Sequence, residues 1–531
     1  MFRRRLYYLT FSLSLLASTS GTIYCQQIIR NVEFDRSDVF DASDSTTPGW
    51  IKAFFNTLHT RSREQLLRNE ILFRQNDTLQ PALLLESERK LRNLDFVGDV
   101  SIQSIPDGDS CNVIVHTQDK WSLTTNASYK RDGGFDAYGF ALSESNFLGM
   151  GYSLLGRVDY ETDRTNPFGT QFFFIGKHLP FQGWEFETQY KSSEELRLRS
   201  IALNHPFFSE ESPWSFGSSL DDGTTLRRLV VDGQITQEEQ AAQTTGFLWS
   251  VVSFGDDVKY RYGLWLKHRT TSGVSLLPRN DDRQSMVQVS FGILDHVWEK
   301  TSGLNSLTRT EDVATGYALD FIVGRNFAYR SRNGLPDFTM VRGTAAANLG
   351  QSSYASSEIS YTREGALGAE SEQTFEYGML VHRRLTRNDL IIIRITGTQG
   401  YRWTAGEEMV LGSPTGLRGY SQYAFSGNRQ VLFNLESRHV FDTPFWIFNF
   451  GAALFADCGT AWNESQEFSH QQFHSAVGLG LRIENIKQQG IGVIRVDFPY
   501  SFDQHRIAGI LISSTHFLSA FAPVENIPPP F

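Results

Sequence analysis

From Trp121 onward the apolar residues of this chain recur at every second position, the period of a strand and not of a helix. In 259–269, Tyr260, Tyr262, Leu264 and Leu266 fall on one face. Lys259, Arg261, Gly263, Lys267 and Arg269 fall on the other, with Trp265 the exception. Val287, Val289, Phe291 and Ile293 oppose Gln288, Ser290 and Gly292, and Val477, Leu479, Leu481 and Ile483 oppose Gly478, Gly480, Arg482 and Glu484. A soluble β-sandwich or propeller alternates in the same way, so composition has to arbitrate. The chain holds 41 Phe, 19 Tyr and 10 Trp, and 44 Gly against 16 Pro, while its mean hydropathy is only −0.30. Abundant aromatics with low mean hydropathy suit a membrane β-barrel, whose inner face is polar and whose rims carry aromatic girdles. The strands approach the roughly 9 to 11 residues needed to cross a bilayer, and an export signal precedes them. A net charge of −10 with a pI near 5.7 argues against a nucleic-acid binder.

The export signal consists of Arg3, Arg4 and Arg5, the mostly apolar stretch Leu6 to Ala17, and small residues Ser18 to Gly21. It reads as a secretory signal peptide over 1–25, with cleavage expected between Ala17 and Gln26. Cys25 follows the bulky Tyr24, which disfavours a lipoprotein site. Cys111 and Cys458 are the only other cysteines, so no disulfide framework is expected. Residues 26–120 read as a small α+β domain. A strand over 28–34 carries Ile28, Val32 and Phe34 on one face. Helices follow over 50–59, 63–74 and 81–94, the third with Leu84, Leu91 and Leu94 on one face. A hairpin of 99–105 and 111–118 closes the unit around the turn Pro106-Asp107-Gly108-Asp109.

Residues 121–517 are assigned to the barrel. At about 25 residues per strand and connection this stretch holds roughly sixteen antiparallel strands, an even number. The fold class is therefore mainly β, a transmembrane antiparallel β-barrel of about 16 strands behind one small α+β domain. The polar, acidic stretch 209–243 is expected to hold long loops, and 507–517 fits a final strand. Residues 518–531 form a tail whose Pro528, Pro529 and Pro530 cannot sit in a paired strand. Val431, Phe433 and Leu435 share a face, which turns Asn434, Glu436 and Arg438 toward the lumen. Asp457 likewise lies opposite Phe448, Phe450, Ala452 and Leu454. With Arg418 these carboxylates read either as solvated charges or as an ion-paired set, and the pattern leaves both open.

Several motifs resemble the BamA/TamA-like outer-membrane assembly proteins, also described as bacterial surface antigens. Gly416-Leu417-Arg418-Gly419-Tyr420 resembles that family's long-loop motif, and Phe455-Ala456-Asp457-Cys458-Gly459-Thr460-Ala461-Trp462 its late-strand element. Asn434-Leu435-Glu436-Ser437-Arg438 fits the strand between them. Upstream, Asn56-Thr57-Leu58-His59, Leu72-Phe73 and Glu86-Ser87-Glu88-Arg89-Lys90-Leu91 resemble the family's polypeptide-transport-associated (POTRA) domain. Asp119-Lys120-Trp121-Ser122 resembles its junction with the barrel. The resemblance implies a latch in which Arg418, Gly419 and Tyr420 of the long loop are held by Glu436 and Asp457, beside Phe455, Gly459 and Trp462.

The resemblance further implies an outer-membrane protein, its N-terminal domain in the periplasm, that inserts or moves polypeptides. Its expected partners are unfolded outer-membrane or secreted clients, outer-membrane lipids and periplasmic or lipoprotein partners, with no nucleic acid. A polypeptide secretion pore and a passive porin-like barrel are the alternatives. No nucleophile elbow, phosphate loop or helical zinc-protease motif occurs, so neither an enzyme nor a cofactor is expected. His470 and His474 have a metal-binding spacing for a helix but lie in a polar segment between strands, and no metal site is expected.

Overall fold

The structure, a computed structural model, describes residues 27–40, 47–132, 135–162, 164–179, 181–231, 234–273, 283–327, 337–350, 353–364, 371–402, 409–421, 423–466, 468, 472–488 and 493–513. The expected signal peptide, 1–25, and the expected tail, 518–531, lie outside them. The N-terminal unit contains β1 (Ile28–Ser37), α1 (Gly49–Leu58), α2 (Glu64–Glu70), α3 (Pro81–Arg92), β2 (Val97–Asp107) and β3 (Ser110–Asp119). Its sheet has the order β1-β3-β2, with β1 parallel and β2 antiparallel to β3. Ile29, Val32, Leu67, Leu91, Cys111, Val113 and Val115 form its core. Ile29 and not Ile28 points inward, because the register of β1 against β3 shifts between Ile29 and Asn31 and reverses the alternation there.

The wall begins with β4 (Leu123–Asp132), β5 (Phe135–Phe147), β6 (Tyr152–Glu161), β7 (Phe168–Lys177), β8 (Glu185–Ser192) and β9 (Leu196–His205). Longer strands follow: β10 (Trp214–Val231), β11 (Gln234–Phe254), β12 (Val258–Ser272), β13 (Arg283–Ser302) and β14 (Thr310–Asn326). Then come β15 (Phe338–Gly350), β16 (Ser353–Glu364), β17 (Glu372–Arg384) and β18 (Asp389–Tyr401). Two short strands, β19 (Met409–Leu411) and β20 (Phe425–Gly427), pair with each other in the loop that follows. The wall resumes with β21 (Arg429–Val440), β22 (Phe448–Trp462), β23 (His474–Asn485), β24 (Ile494–Ser501), β25 (Arg506–Ile507) and β26 (Leu511–Ser513).

These wall strands close into one barrel in chain order, with β26 beside β4. β25 and β26 both pair with β24 and so share one position. Among the described residues the wall thus counts twenty positions where about sixteen were expected. The excess arises because β4 to β9 and their turns use far fewer residues than the assumed spacing. The stretch 209–243 is also not mainly loop, since it supplies most of the β10–β11 hairpin. β9 pairs with β10 only as far as Thr225 and β12 reaches β11 only at Ala242, so the far ends of β10 and β11 extend past the wall paired to each other. Beyond the bilayer a strand needs no apolar outer face, which is why its sequence looked like a loop. The last expected strand is present only as β25 and β26, and 514–517 lies outside the described residues.

Within the wall the usual burial pattern is inverted. Tyr260, Tyr262, Leu264 and Leu266 of β12 are exposed on the outside, whereas Arg261 and Lys267 are buried inside. Trp265 also faces the lumen, stacked near Phe247 and Trp249 with its indole N–H on Ser290 Oγ at 3.0 Å. The lumen therefore carries an apolar patch as well as charges.

The end at which the N-terminal domain enters is called the near end. There the domain touches turns around much of the rim. The Arg63 amide donates to the Gly149 carbonyl (2.9 Å), Lys90 Nζ to the Phe208 carbonyl (2.8 Å) and the Trp121 amide to the Lys487 carbonyl (2.8 Å). Glu70 is buried between His178 of the β7–β8 turn (2.8 Å) and Lys90 (3.4 Å). Burial alone would raise its pKa, but the His178 hydrogen bond and the nearby Lys90 charge outweigh burial and lower it to about 2. A carboxylate depressed in the folded state stabilises above its ordinary pKa and loses that contribution as pH falls toward the depressed value. Glu70 is thus expected to stabilise the docked domain at neutral pH, through His178 across the interface and Lys90 within the domain, and to lose that contribution between about pH 4.5 and 2. Limited proteolysis of α2 and α3 across that range checks this, and Glu70→Gln should remove the acid-dependent step.

Candidate functional site

The loop between β18 and β21 leaves the far end of the barrel and folds back inside it. Its local shape is set by short-range bonds. The Ser413 amide and hydroxyl both donate to the Tyr420 carbonyl (3.1 and 2.7 Å), and the Gly419 amide donates to Ser413 Oγ at 3.2 Å. Gly416 and Gly419 have φ of +115° and +91°, conformations that favour glycine. A Cβ on Gly419 would also sit 3.2 Å from Pro499 of the wall. This tight turn buries Leu417 and Tyr420 against Leu411, Leu432 and Ala476, and the Tyr420 hydroxyl donates to the Ser475 carbonyl at 2.8 Å.

Between Leu417 and Gly419, Arg418 is driven into the wall and is 1% exposed. Its Nε and Nη2 donate to the two oxygens of Asp457 at 2.7 and 2.8 Å, a bidentate pair. Its Nη1 reaches Glu436 at 3.1 Å and Asp497 at 3.2 Å, and the guanidinium lies 3.5 Å above the Phe455 ring. Asn434 Nδ2 donates to both Asp457 Oδ1 (2.7 Å) and the Gly416 carbonyl (2.9 Å), joining loop to strand a second time. The structure therefore brings Arg418, Glu436 and Asp457 together.

Three arginines and one carboxylate complete the network. Glu436 pairs with Arg438 (2.6 Å), Arg482 (2.9 Å) and Arg495 (3.4 Å), and Asp497 with Arg482 and Arg495. All seven charged groups are at most 3% exposed. Opposite charges interleaved at hydrogen-bond distance offset the large cost of removing each from water. The sequence reading placed Arg438 and Arg482 on the polar face without a role and missed Arg495 and Asp497. Their signal was available, because Arg495, Asp497, Pro499 and Ser501 alternate with Ile494, Val496, Phe498 and Tyr500.

Small residues on β22 and β23 make room for these side chains. A Cβ on Gly480 would lie 2.2 Å from Asp497 Oδ1, and one on Gly478 would lie 2.3 Å from the Phe455 ring and 2.5 Å from the Phe498 carbonyl. The other motif residues line the same loop. A Cβ on Gly459 would meet Leu411 at 3.1 Å, and Gly427 of β20 passes tightly against the backbone of Trp462. His474 pairs with Asp503 and stacks on Phe425 at 3.6 Å, whereas His470 lies outside the described residues. Among the described residues no cluster of metal-ligating side chains occurs. The arrangement offers no nucleophile beside a base. What it can do is pin a loop.

No family profile matches the chain. One curated relative, the outer membrane protein assembly factor BamA of Neorickettsia risticii (strain Illinois), is 32% identical over 94 residues. The match takes in 17% of this chain and spans 13% of that relative's length. Among solved structures, BamA from Haemophilus ducreyi lacking POTRA domains 1-3 is 12% identical with a TM-score of 0.41, over 92% of this chain and 83% of that one. CdiB from Acinetobacter baumannii gives 11% and 0.45 over 92% and 73%. CdiB from Escherichia coli gives 11% and 0.47 over 92% and 75%. At such TM-scores the architecture rests on this chain's own strand pairings.

Proposed function

Because the chain is BamA/TamA-like in its motif residues and in the segment it shares with BamA, we propose that it is an outer-membrane assembly or insertion factor that templates client strands at a barrel seam. The observation that carries this reading is a break in the strand beside β4. β4 spans ten residues, whereas the neighbouring wall position is interrupted at 508–510, between β25 and β26, where Gly509 has φ +123°. β4 thus faces a broken partner at the seam, and a weakly paired edge recruits a strand. On this reading the N-terminal domain is POTRA-like and faces the periplasm, where its sheet can add an extended client segment. The Arg418 network latches the long loop to β21–β24, keeping that side of the seam rigid while the β4 side yields. Clients are unfolded outer-membrane polypeptides, lipids surround the wall, and lipoprotein partners meet the near-end turns that the N-terminal domain leaves uncovered.

The driving force is the client's own folding, since backbone groups left unpaired in lipid are costly. The test is insertion of an unfolded eight-stranded barrel client into vesicles with and without the reconstituted protein. Folding, read by heat-modifiable migration, is expected to accelerate at least tenfold. Equal rates would rule out insertion, and client arriving inside sealed vesicles would favour a secretion pore.

A further inference from the structure

We infer that the near ends of β13 and β14 form a strap that closes the near mouth of the lumen and is clamped on the opposite wall by Glu484. This goes beyond the insertion reading and holds by whichever route a client travels.

The strap leaves the wall at a defined point. β12 pairs with β13 only as far as Asp295, and β15 pairs with β14 only as far as Gly316, yet β13 and β14 stay paired to each other down to Ser302 and Thr310. Residues 296–315 are therefore a hairpin with no wall neighbour in register on either side. At the departure point Gly316 has φ +136°, and a Cβ there would sit 2.1 Å from the Asp295 carbonyl oxygen. Only glycine permits that bend, the means by which a sheet is turned out of its own plane. At about 3.3 Å per residue the hairpin reaches roughly 30 Å, of the order of a barrel's width.

Its tip is rigid and seated. Glu311 accepts the Asn305 and Ser306 amides at 3.0 and 2.8 Å, and Leu304 packs with Val313 and Tyr354. Eight wall positions from β13, the fully buried Glu484 of β23 accepts the Thr308 amide (3.2 Å) and hydroxyl (3.1 Å) and pairs with Arg309 Nε at 3.0 Å. Asn449 of β22 donates to the same hydroxyl at 2.7 Å. On its other face the strap meets the N-terminal domain through Arg92, which donates to both Asp312 oxygens at 2.7 and 2.8 Å. Two further α3 contacts hold the arms of the strap, Lys300 Nζ to Glu88 at 2.8 Å and Arg89 over the Trp298 ring at 4.1 Å. Beside the tip, by contrast, a cavity of about 750 Å³ separates strap from domain, so that there the strap closes the mouth. Arg384 of β17 also donates to the Ser302 carbonyl at 2.7 Å, so the tip is held on the wall by side chains, which can release it as a unit, unlike a strand paired into the wall.

The test uses full-length protein in vesicles with the N-terminal domain outward, lacking Cys111 and Cys458 and carrying Ser360→Cys on the lumen side of β16. A membrane-impermeant maleimide is added outside, and proper folding is checked by heat-modifiable migration. Glu484→Ala and, more mildly, Arg309→Ala are expected to raise the labelling rate tenfold and about threefold. In a second set bearing Thr308→Cys and Asn449→Cys, oxidation before labelling should return Glu484→Ala to the starting rate. If Glu484→Ala does not fold, Arg309→Ala carries the result. Folded variants that label at the unaltered rate, or an increase that the oxidised tether leaves in place, would overturn the strap.

Discussion

Arg418→Ala is expected to free the long loop from the barrel wall while leaving the barrel itself folded. The substitution deletes four hydrogen bonds from one guanidinium, two to Asp457 and one each to Glu436 and Asp497. It also strands Asp457, which then keeps only Asn434 at hydrogen-bond distance within the network. Breaking a buried pair by removing one member costs roughly 3–5 kcal/mol, because the remaining charge stays desolvated. The loop has a second hold in Leu417 and Tyr420, so the outcome is a loop that opens often and not one that is lost. Protease cleavage within 409–428 should accelerate at least tenfold, with client insertion falling in parallel. Arg418→Lys should recover little of either, since an ammonium cannot make the bidentate contact. Asp457→Ala should resemble Arg418→Ala, and the double variant should be no worse than either single one, as expected for partners in one interaction.

A larger loss of stability is expected from Gly478→Val. Its new Cβ would start 2.3 Å from the Phe455 ring and 2.5 Å from the backbone carbonyl of Phe498 on the adjacent strand. The Arg418 guanidinium rests 3.5 Å over that ring and limits how far it can retreat. Overpacking of this kind costs about 1–3 kcal/mol where neighbours can shift and more where they cannot. Gly478→Ala should lower the temperature at which heat-modifiable migration is lost by several degrees, and Gly478→Val should prevent a folded barrel from accumulating. Gly156→Ala is the matched control on β6, where an added Cβ meets nothing within 4 Å.

The period of two made the barrel legible because lipid on one side and lumen on the other impose alternation on every crossing strand. The same logic failed at 209–243, where the β10–β11 hairpin outruns the wall and alternation is no longer imposed. Strand number was underestimated because spacing had to be assumed, and the first six wall strands are short and closely connected. Within the site, Arg418, Glu436 and Asp457 were legible through their motifs. Arg495 and Asp497 gain meaning only when β23 pairs with β24 and sets Arg482 opposite Arg495. The strap was invisible for a related reason. Residues 296–315 carry the polar run Glu299 to Ser302 and no sustained period of two, so they read as a turn between wall strands, and neither Gly316 nor Glu484 announces in sequence that a hairpin bends across to the other side.

The central claim is that client strands enter at the seam between β4 and β26. Its most direct test is a cross-link that closes that seam, with one cysteine near Thr124 and one near Ile512, Cys111 and Cys458 removed, and neighbouring registers tried. The account predicts that the oxidised protein stays folded in the membrane, stops accelerating client insertion, and recovers on reduction. A barrel that inserts client at the full rate with its seam covalently shut would contradict it.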